Sequence, residues 1–240
     1  MRIMDTTRKL ALAAGVLYLV TFVASIPTLG LKASVADNAD FVLGHGGTTG
    51  VILGCLLDFV CAIAGIGTAV ALYPITRRLS RTSAIGFVTT RTLEASILVL
   101  GAISLLSIVT LRNEATGADA PALMATSRGL LAMHDWAFLF GPGFMAVLNA
   151  AFLATVVYRF RLVPRWIPTL GLIGAPLLLA SDLATLFGGH GQVSGSAFVL
   201  VLPIAVWEFS LGVYMTVKGV RVPFTDDGTA SPTPAPALAV

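Results

Sequence analysis

Six long apolar stretches organise the chain, and the short segments between them carry most of the charged residues. Each stretch has about 20 residues or more, the length that a helix needs to cross a hydrocarbon core of about 30 Å. The sequence therefore predicts an all-α, six-helix transmembrane bundle. The predicted spans are Leu10–Leu31, Gly47–Tyr73, Ser83–Leu111, Gly129–Tyr158, Ile167–Phe187 and Ala197–Val217.

Composition supports the membrane class. Hydrophobic residues make up 56% of the chain and charged residues 11%, whereas a soluble domain carries roughly a quarter charged residues. So few charges cannot cover the surface of a soluble protein of 240 residues. The lipid bilayer is thus the expected partner. No basic patch points to nucleic acid.

The distribution of Lys and Arg predicts the orientation. With the N-terminus inside, eleven of the 15 Lys and Arg residues fall in inner segments, three fall in outer segments, and Arg91 lies within a span. The positive-inside rule then places both termini in the cytoplasm. We expect one transmembrane domain over residues 1–220. The tail over residues 221–240 is rich in Pro, Ala and Thr, and we expect it to be disordered.

Ionisable and polar residues occur inside the predicted spans. A charged residue at the centre of a helix costs about 2.5–3.5 kcal/mol on insertion scales. We therefore expect these side chains to face inward and to form a candidate ligand-binding or ion-binding core. The set comprises Asp58, Arg91, Glu94, His134, Asp135, Asn149, Asp182 and Glu208.

A stripe of small residues on the second span leads to one of these acids. Gly46, Gly50, Gly54 and Asp58 recur every four residues, and small residues at this spacing let helices approach closely. The pattern predicts that Asp58 lies in a contact between helices.

Two pairs on single helices have both a structural and a functional interpretation. Arg91 and Glu94 are three residues apart, close enough to pair, and they predict either a static ion pair or a gate or ligand site. His134 and Asp135 predict either a polar helix end near the membrane interface or a proton-handling pair, since His titrates near neutrality.

The fourth span contains a break signal, Gly141-Pro142-Gly143. Proline removes a backbone donor and clashes with the preceding turn. The motif predicts either an inert kink or a true break, of the kind that transporters use to bind solutes.

Several chemistries are missing from the sequence. It has no Walker loop, no dinucleotide-binding glycine fingerprint and no zinc-helix motif. His134 is the only His within a span, so a haem held by two His residues is excluded. We predict no catalytic residue, no cofactor and no metal site.

A series of short motifs carries a family resemblance. They are Arg8-Lys9 with Gly15 and Tyr18, Leu72-Tyr73-Pro74, Arg91-x-x-Glu94, Pro164-x-Trp166 before Gly171-x-x-Gly174, and Trp207-Glu208 before Gly212. In this order, from about Arg8 to Gly219, the chain resembles the bacterial multi-pass membrane family filed as domain of unknown function 4386. The resemblance implies a protein of the bacterial inner membrane and implies no activity.

The functional hypothesis follows from the acids within the spans. We favour a membrane protein that binds or moves a cation, a proton or a small polar solute through an acidic core. The alternatives are a ligand sensor or an accessory subunit with a protein partner, and an intramembrane enzyme ranks last. Transport requires a continuous water path, a sensor requires a pocket closed on one side, and an accessory role predicts a packed polar core without a cavity.

Overall fold

The structure is a computed structural model, and it describes residues 6–38, 40–114 and 119–223. Of the predicted tail, residues 224–240 lie outside this part, as does Arg2 of the predicted inner segments. Helices α1 to α8 are Thr6–Ser25, Thr28–Ala36, Thr48–Leu79, Arg81–Glu114, Ala120–Phe138, Ala146–Arg159, Trp166–Leu186 and Gly195–Val217. A 3-10 turn covers Phe41–Leu43, and a π-helical segment, Leu139–Met145, joins α5 to α6.

Six helical stretches in the described residues are long and apolar enough to cross a membrane. They confirm the predicted fold class and the number of spans. The stretches Thr6–Ala36 and Ala120–Arg159 each contain more than one helical element.

The spans form a ring in which neighbours along the chain are neighbours in space. Helix α1 packs on α3, α3 on α4, α4 on α5 and α6, α6 on α7, and α7 on α8, and α8 closes the ring against α1. Glycine permits this closure, because a Cβ added at Gly15 would lie 2.6 Å from the Thr216 amide nitrogen. The polar residues of the spans can therefore meet at the centre of the ring.

Arg8 brings the two ends of the chain's helical part to the same face. Its Nη1 donates to the Met215 carbonyl at 2.8 Å and its Nη2 to the Thr216 carbonyl at 2.8 Å. These carbonyls are among the last of α8, which have no partner within the helix. Arg221 N also donates to the Leu162 carbonyl at 2.8 Å. We call this side the basic face, since the arginine clusters Arg77-Arg78 and Arg159–Arg165 lie at its helix ends.

The first span departs from the prediction. One helix was expected over Leu10–Leu31, but α1 ends at Ser25 and a turn at Ile26-Pro27 starts the separate helix α2. The residue before a proline disfavours helical conformation, which explains the end of α1. Lys32, which was expected in an outer loop, is therefore a residue of α2.

The fourth span begins at Ala120, nine residues before the predicted start at Gly129. The structure of this span also shows whether Gly141-Pro142-Gly143 breaks the helix. The helix continues through this motif, and the wider turns of the π segment contain Pro142. A π segment of this kind is often found at functional sites.

Candidate functional site

Arg91 is the centre of a buried ionic cluster that joins α4 to α8. Its Nη1 donates to Glu94 Oε2 at 2.8 Å, so the predicted pair is present, and its Nη2 donates to Glu208 Oε1 at 2.8 Å. The guanidinium carbon also lies 5.3 Å from the ring centroid of Tyr18 and 5.8 Å from that of Phe87. One cation is thus held by two carboxylates and two aromatic rings.

Asn149 of α6 extends the cluster to a third helix. The side chain is fully buried, and its Nδ2 donates to Glu94 Oε2 at 2.5 Å. Thr90 Oγ1 in turn donates to Asn149 Oδ1 at 2.5 Å. A continuous chain of polar contacts therefore runs from Thr90 to Glu208. Thr90 was not singled out in the sequence, because its hydroxyl has no feature that separates it from other Thr residues in the spans.

Asp58 lies in a second buried ion pair, whose cation comes from α2. Lys32 Nζ donates to Asp58 Oδ2 at 2.7 Å, and both side chains are 6% exposed. The glycine stripe permits this contact. A Cβ at Gly50 would lie 2.8 Å from the Leu31 carbonyl oxygen, and one at Gly54 would lie 2.8 Å from Lys32 Cγ. The predicted helix contact at Asp58 is confirmed. Gly46 lies before α3, in the loop, with φ +83°.

Asp182 of α7 lacks a partner of this kind. The residue is 6% exposed, and no residue in the described part of the chain forms a hydrogen bond with its Oδ2. It lies against the π segment, where a Cβ added at Gly143 would be 2.9 Å from Oδ2. The carboxylate is therefore buried beside Gly143 without a counter-charge in contact.

Asp135 corrects the expectation that every acid of the set faces inward. His134 Nδ1 lies 3.2 Å from Asp135 Oδ1, but the Asp135 side chain is 60% exposed. Met133 and Trp136 beside it are exposed as well, so Asp135 lies on the outward side of α5. Asp135 is thus peripheral, whereas the His134 side chain is only 15% exposed and acts on Asp58 electrostatically.

A cavity of about 360 Å³ lies beside the two ion pairs, and we call it the core cavity. Its wall includes four members of the predicted set, Asp58, Arg91, Glu94 and Glu208. Exposed residues of its rim, such as Ile26 and Leu29, lie at the junction of α1 and α2. This junction is at the ends of the helices away from the basic face.

The Asp182 cavity, of about 380 Å³, lies next to the core cavity. Its wall contains Asp182, Ser181 and Gly143, and the two cavities share Leu29, Phe138, Pro142 and Val201. The π segment thus forms part of the wall between them.

The described residues contain no group of three or more His, Cys, Asp and Glu side chains that could hold a metal ion. Cys55 and Cys61 are free thiols. The arrangement instead offers carboxylates, a guanidinium and an amide next to empty volume, which suits reversible binding of a charged or polar group.

Comparison with known proteins assigns the chain to a family through a sequence model only. No curated protein and no solved structure matches it. The sequence model of the family described as Domain of unknown function (DUF4386) matches residues 13–219, nearly the whole helical part. This agrees with the resemblance expected from Arg8 to Gly219, and the chain belongs to that family.

Proposed function

We propose that this protein binds a small cation or polar solute in its core cavity, within the bacterial inner membrane. One observation carries the proposal: Asp58, Arg91, Glu94 and Glu208 line a single cavity of about 360 Å³. Ligand pockets typically measure about 300–1,000 Å³ and combine apolar walls with a few placed polar groups. An accessory protein with a merely packed polar core would not need this volume.

The charge of the wall favours a cationic ligand. It holds three acids, Asp58, Glu94 and Glu208, and one base, Arg91. Lys32 lies behind Asp58 and adds a second positive charge. With all of these groups ionised, the negative charges exceed the positive charges by one. A bound cation, or a proton on one of the acids, would balance the site.

Access to the cavity supports binding from one side. The rim residues Ile26 and Leu29 are exposed. On the side of the cavity towards the basic face, about one helical turn beyond its wall, the side chains are buried: Tyr18, Phe87 and Leu211. A pocket closed on one side is what a ligand-binding or sensory protein requires. Translocation would require these three side chains to move apart.

Cys61 offers a direct test, because it is native to the cavity wall while Cys55 is buried elsewhere. In the Cys55→Ala protein, we expect a methanethiosulfonate reagent with a trimethylammonium group to label Cys61 about tenfold faster than one with a sulfonate group, since negative clefts concentrate cations. Glu208→Gln should reduce this ratio. The matched control is Cys61→Ala, in which buried Cys55 should react slowly with both reagents. Equal rates at Cys61, or no reaction, would refute the proposal.

The orientation is part of the proposal. The basic face carries most of the Lys and Arg residues near helix ends, and the positive-inside rule assigns such a face to the cytoplasm. Both termini are then cytoplasmic, and the core cavity opens away from the cytoplasm. A reporter fused after Val240 should be active only in the cytoplasm, and labelling of Cys61 in intact cells should occur from outside. Periplasmic activity of the reporter would reverse the orientation.

A further inference from the structure

The buried carboxylate of Asp182 is set apart from the ionic clusters of the bundle centre. Asp182 is 6% exposed, and Oδ2 has no hydrogen-bond partner among the described residues. The buried cations of the described residues, Lys32 and Arg91, are bound to other acids. A buried carboxylate without a donor is costly, and a ligand that donates to Oδ2 would lower this cost.

His190 of the neighbouring loop acts on Asp182 electrostatically, but its ring is held by other residues. His190 Nδ1 lies 3.3 Å from Thr185 Oγ1 and 3.4 Å from Ser194 Oγ, which hold the ring at the loop between α7 and α8. No ion pair joins His190 to Asp182 among the residues that the structure describes.

The cavity in front of Asp182 has a distinct chemical character. Its deeper wall is apolar and includes Phe138, Leu178 and Val201, and Phe198 is exposed at its side. Polar Gln192 and Ser194 stand at the loop end. A molecule that fills this volume would place apolar atoms against the rings and a single polar head against the carboxylate.

Gly143 shapes the floor beside the carboxylate. A Cβ at this position would lie 2.9 Å from Oδ2 and 3.1 Å from Cγ of Asp182. Only glycine therefore leaves Asp182 its present position next to the π segment, with Oδ2 free of protein donors.

We propose that the Asp182 cavity is a second binding site, for an amphiphilic amine whose ammonium group donates to Asp182 and whose apolar body lies along Phe138, Leu178 and Phe198. The site is separate from the core cavity, whose acids are not part of its wall. It takes a ligand at the outer end of α7, about one helical turn from Leu186.

The test uses the purified full chain in nanodiscs and phenethylammonium as the probe, with isothermal titration calorimetry as the readout. Phenethyl alcohol, which lacks the charge, is the matched ligand. We expect phenethylammonium to bind at least about tenfold more tightly than the alcohol, because a hydrogen bond to a charged group is strong when buried. Asp182→Asn should abolish this preference.

Two further variants sharpen the result. Asp135→Asn removes an exposed acid on α5, outside both cavity walls, and should keep wild-type affinity for phenethylammonium. Gly143→Ala should weaken binding, since its Cβ displaces the Asp182 carboxylate. The proposal is overturned if phenethylammonium binds no better than the alcohol, or if Asp182→Asn retains the preference. Either outcome leaves the labelling of Cys61 in the core cavity unaffected, so the two sites are tested independently.

Discussion

The Arg91 cluster and the Asp182 cavity handle the same physical difficulty in opposite ways. Both place acids inside a membrane bundle. In the first, the guanidinium of Arg91 contacts Glu94 and Glu208 at 2.8 Å each, and Asn149 adds a donor to Glu94. In the second, Asp182 lies beside Gly143 and a cavity, and within residues 6–38, 40–114 and 119–223 its Oδ2 has no hydrogen-bond partner.

The two regions therefore differ in what their carboxylates can do: the paired ones stabilise the fold, and the unpaired one can bind a ligand. A carboxylate bound to a buried cation holds helices together, and removing one partner leaves the other charge uncompensated. A carboxylate without a partner contributes little to the fold and remains free to accept a ligand's donor. The comparison therefore predicts how stability should respond to each substitution.

The largest loss is expected from Arg91→Met. It leaves Glu94 and Glu208 without their common cation, and breaking a buried pair costs about 3–5 kcal/mol. Chemical unfolding of the purified protein in detergent measures the change. The matched control is Arg81→Met, at the exposed start of the same helix, which should change stability by less than about 0.5 kcal/mol.

The same cluster gives a sharper version of this test. Because Arg91 contacts two acids, the double variant Arg91→Met/Glu94→Gln still leaves Glu208 unpaired. Only the triple variant that adds Glu208→Gln should recover most of the stability. Additive losses across the series would mean that the three groups are solvated separately.

A somewhat smaller loss of stability is expected from Lys32→Met, which leaves a single acid, Asp58, without its counter-charge. The cost should lie at the lower end of about 3–5 kcal/mol, and Lys32→Met/Asp58→Asn should be milder than Lys32→Met alone. A thermal-unfolding double-mutant cycle gives the coupling free energy. A coupling near zero would remove Lys32 from the buried network.

Gly54→Leu should cost less again. Its side chain would meet Lys32 Cγ, which lies 2.8 Å from a Cβ at this position, and overpacking typically costs about 1–3 kcal/mol. Gly30→Leu on α2 is the matched control, since nothing lies within 4 Å of a Cβ there. Equal stability of the two variants would show that α2 does not pack on the glycine stripe.

The smallest effect is expected from Asp182→Asn. This change should leave the free energy of unfolding within about 0.5 kcal/mol of wild type, or raise it, because it removes a desolvated charge that has no partner. The same chemical change at Glu94, Glu94→Gln, should destabilise the protein clearly. Thermal unfolding of the two variants side by side makes the comparison, and equal losses would contradict it.

Much of this fold follows from local pattern. The apolar runs predict six spans because the thickness of the hydrocarbon core sets their length. The spacing of Arg91 and Glu94 predicts their pair because residues three apart share a helix face. The glycine stripe ending at Asp58 predicts a close contact for the same reason, although the stripe does not indicate which helix is the partner.

Other features lie beyond local pattern. Glu208 is 117 residues from Arg91, and Lys32 is 26 residues from Asp58. No helical periodicity relates such positions. Lys32 directly follows the apolar run that ends at Leu31, and this position by itself predicts a loop residue. Pro27 was the available signal that a second short helix begins there.

By itself, then, the sequence determined the class of the protein, its number of spans and most of the ionisable residues within them, with Lys32 as the exception, because these depend on length, hydropathy and spacing along one helix. The tertiary structure decided which acids have counter-charges. Closure of the ring brings α8 to Arg91 and the fold of α2 brings Lys32 to Asp58, whereas the π segment places Gly143 against Asp182 and leaves that carboxylate facing a cavity. Pairing is a property of distance in space, and only the packed helices set that distance.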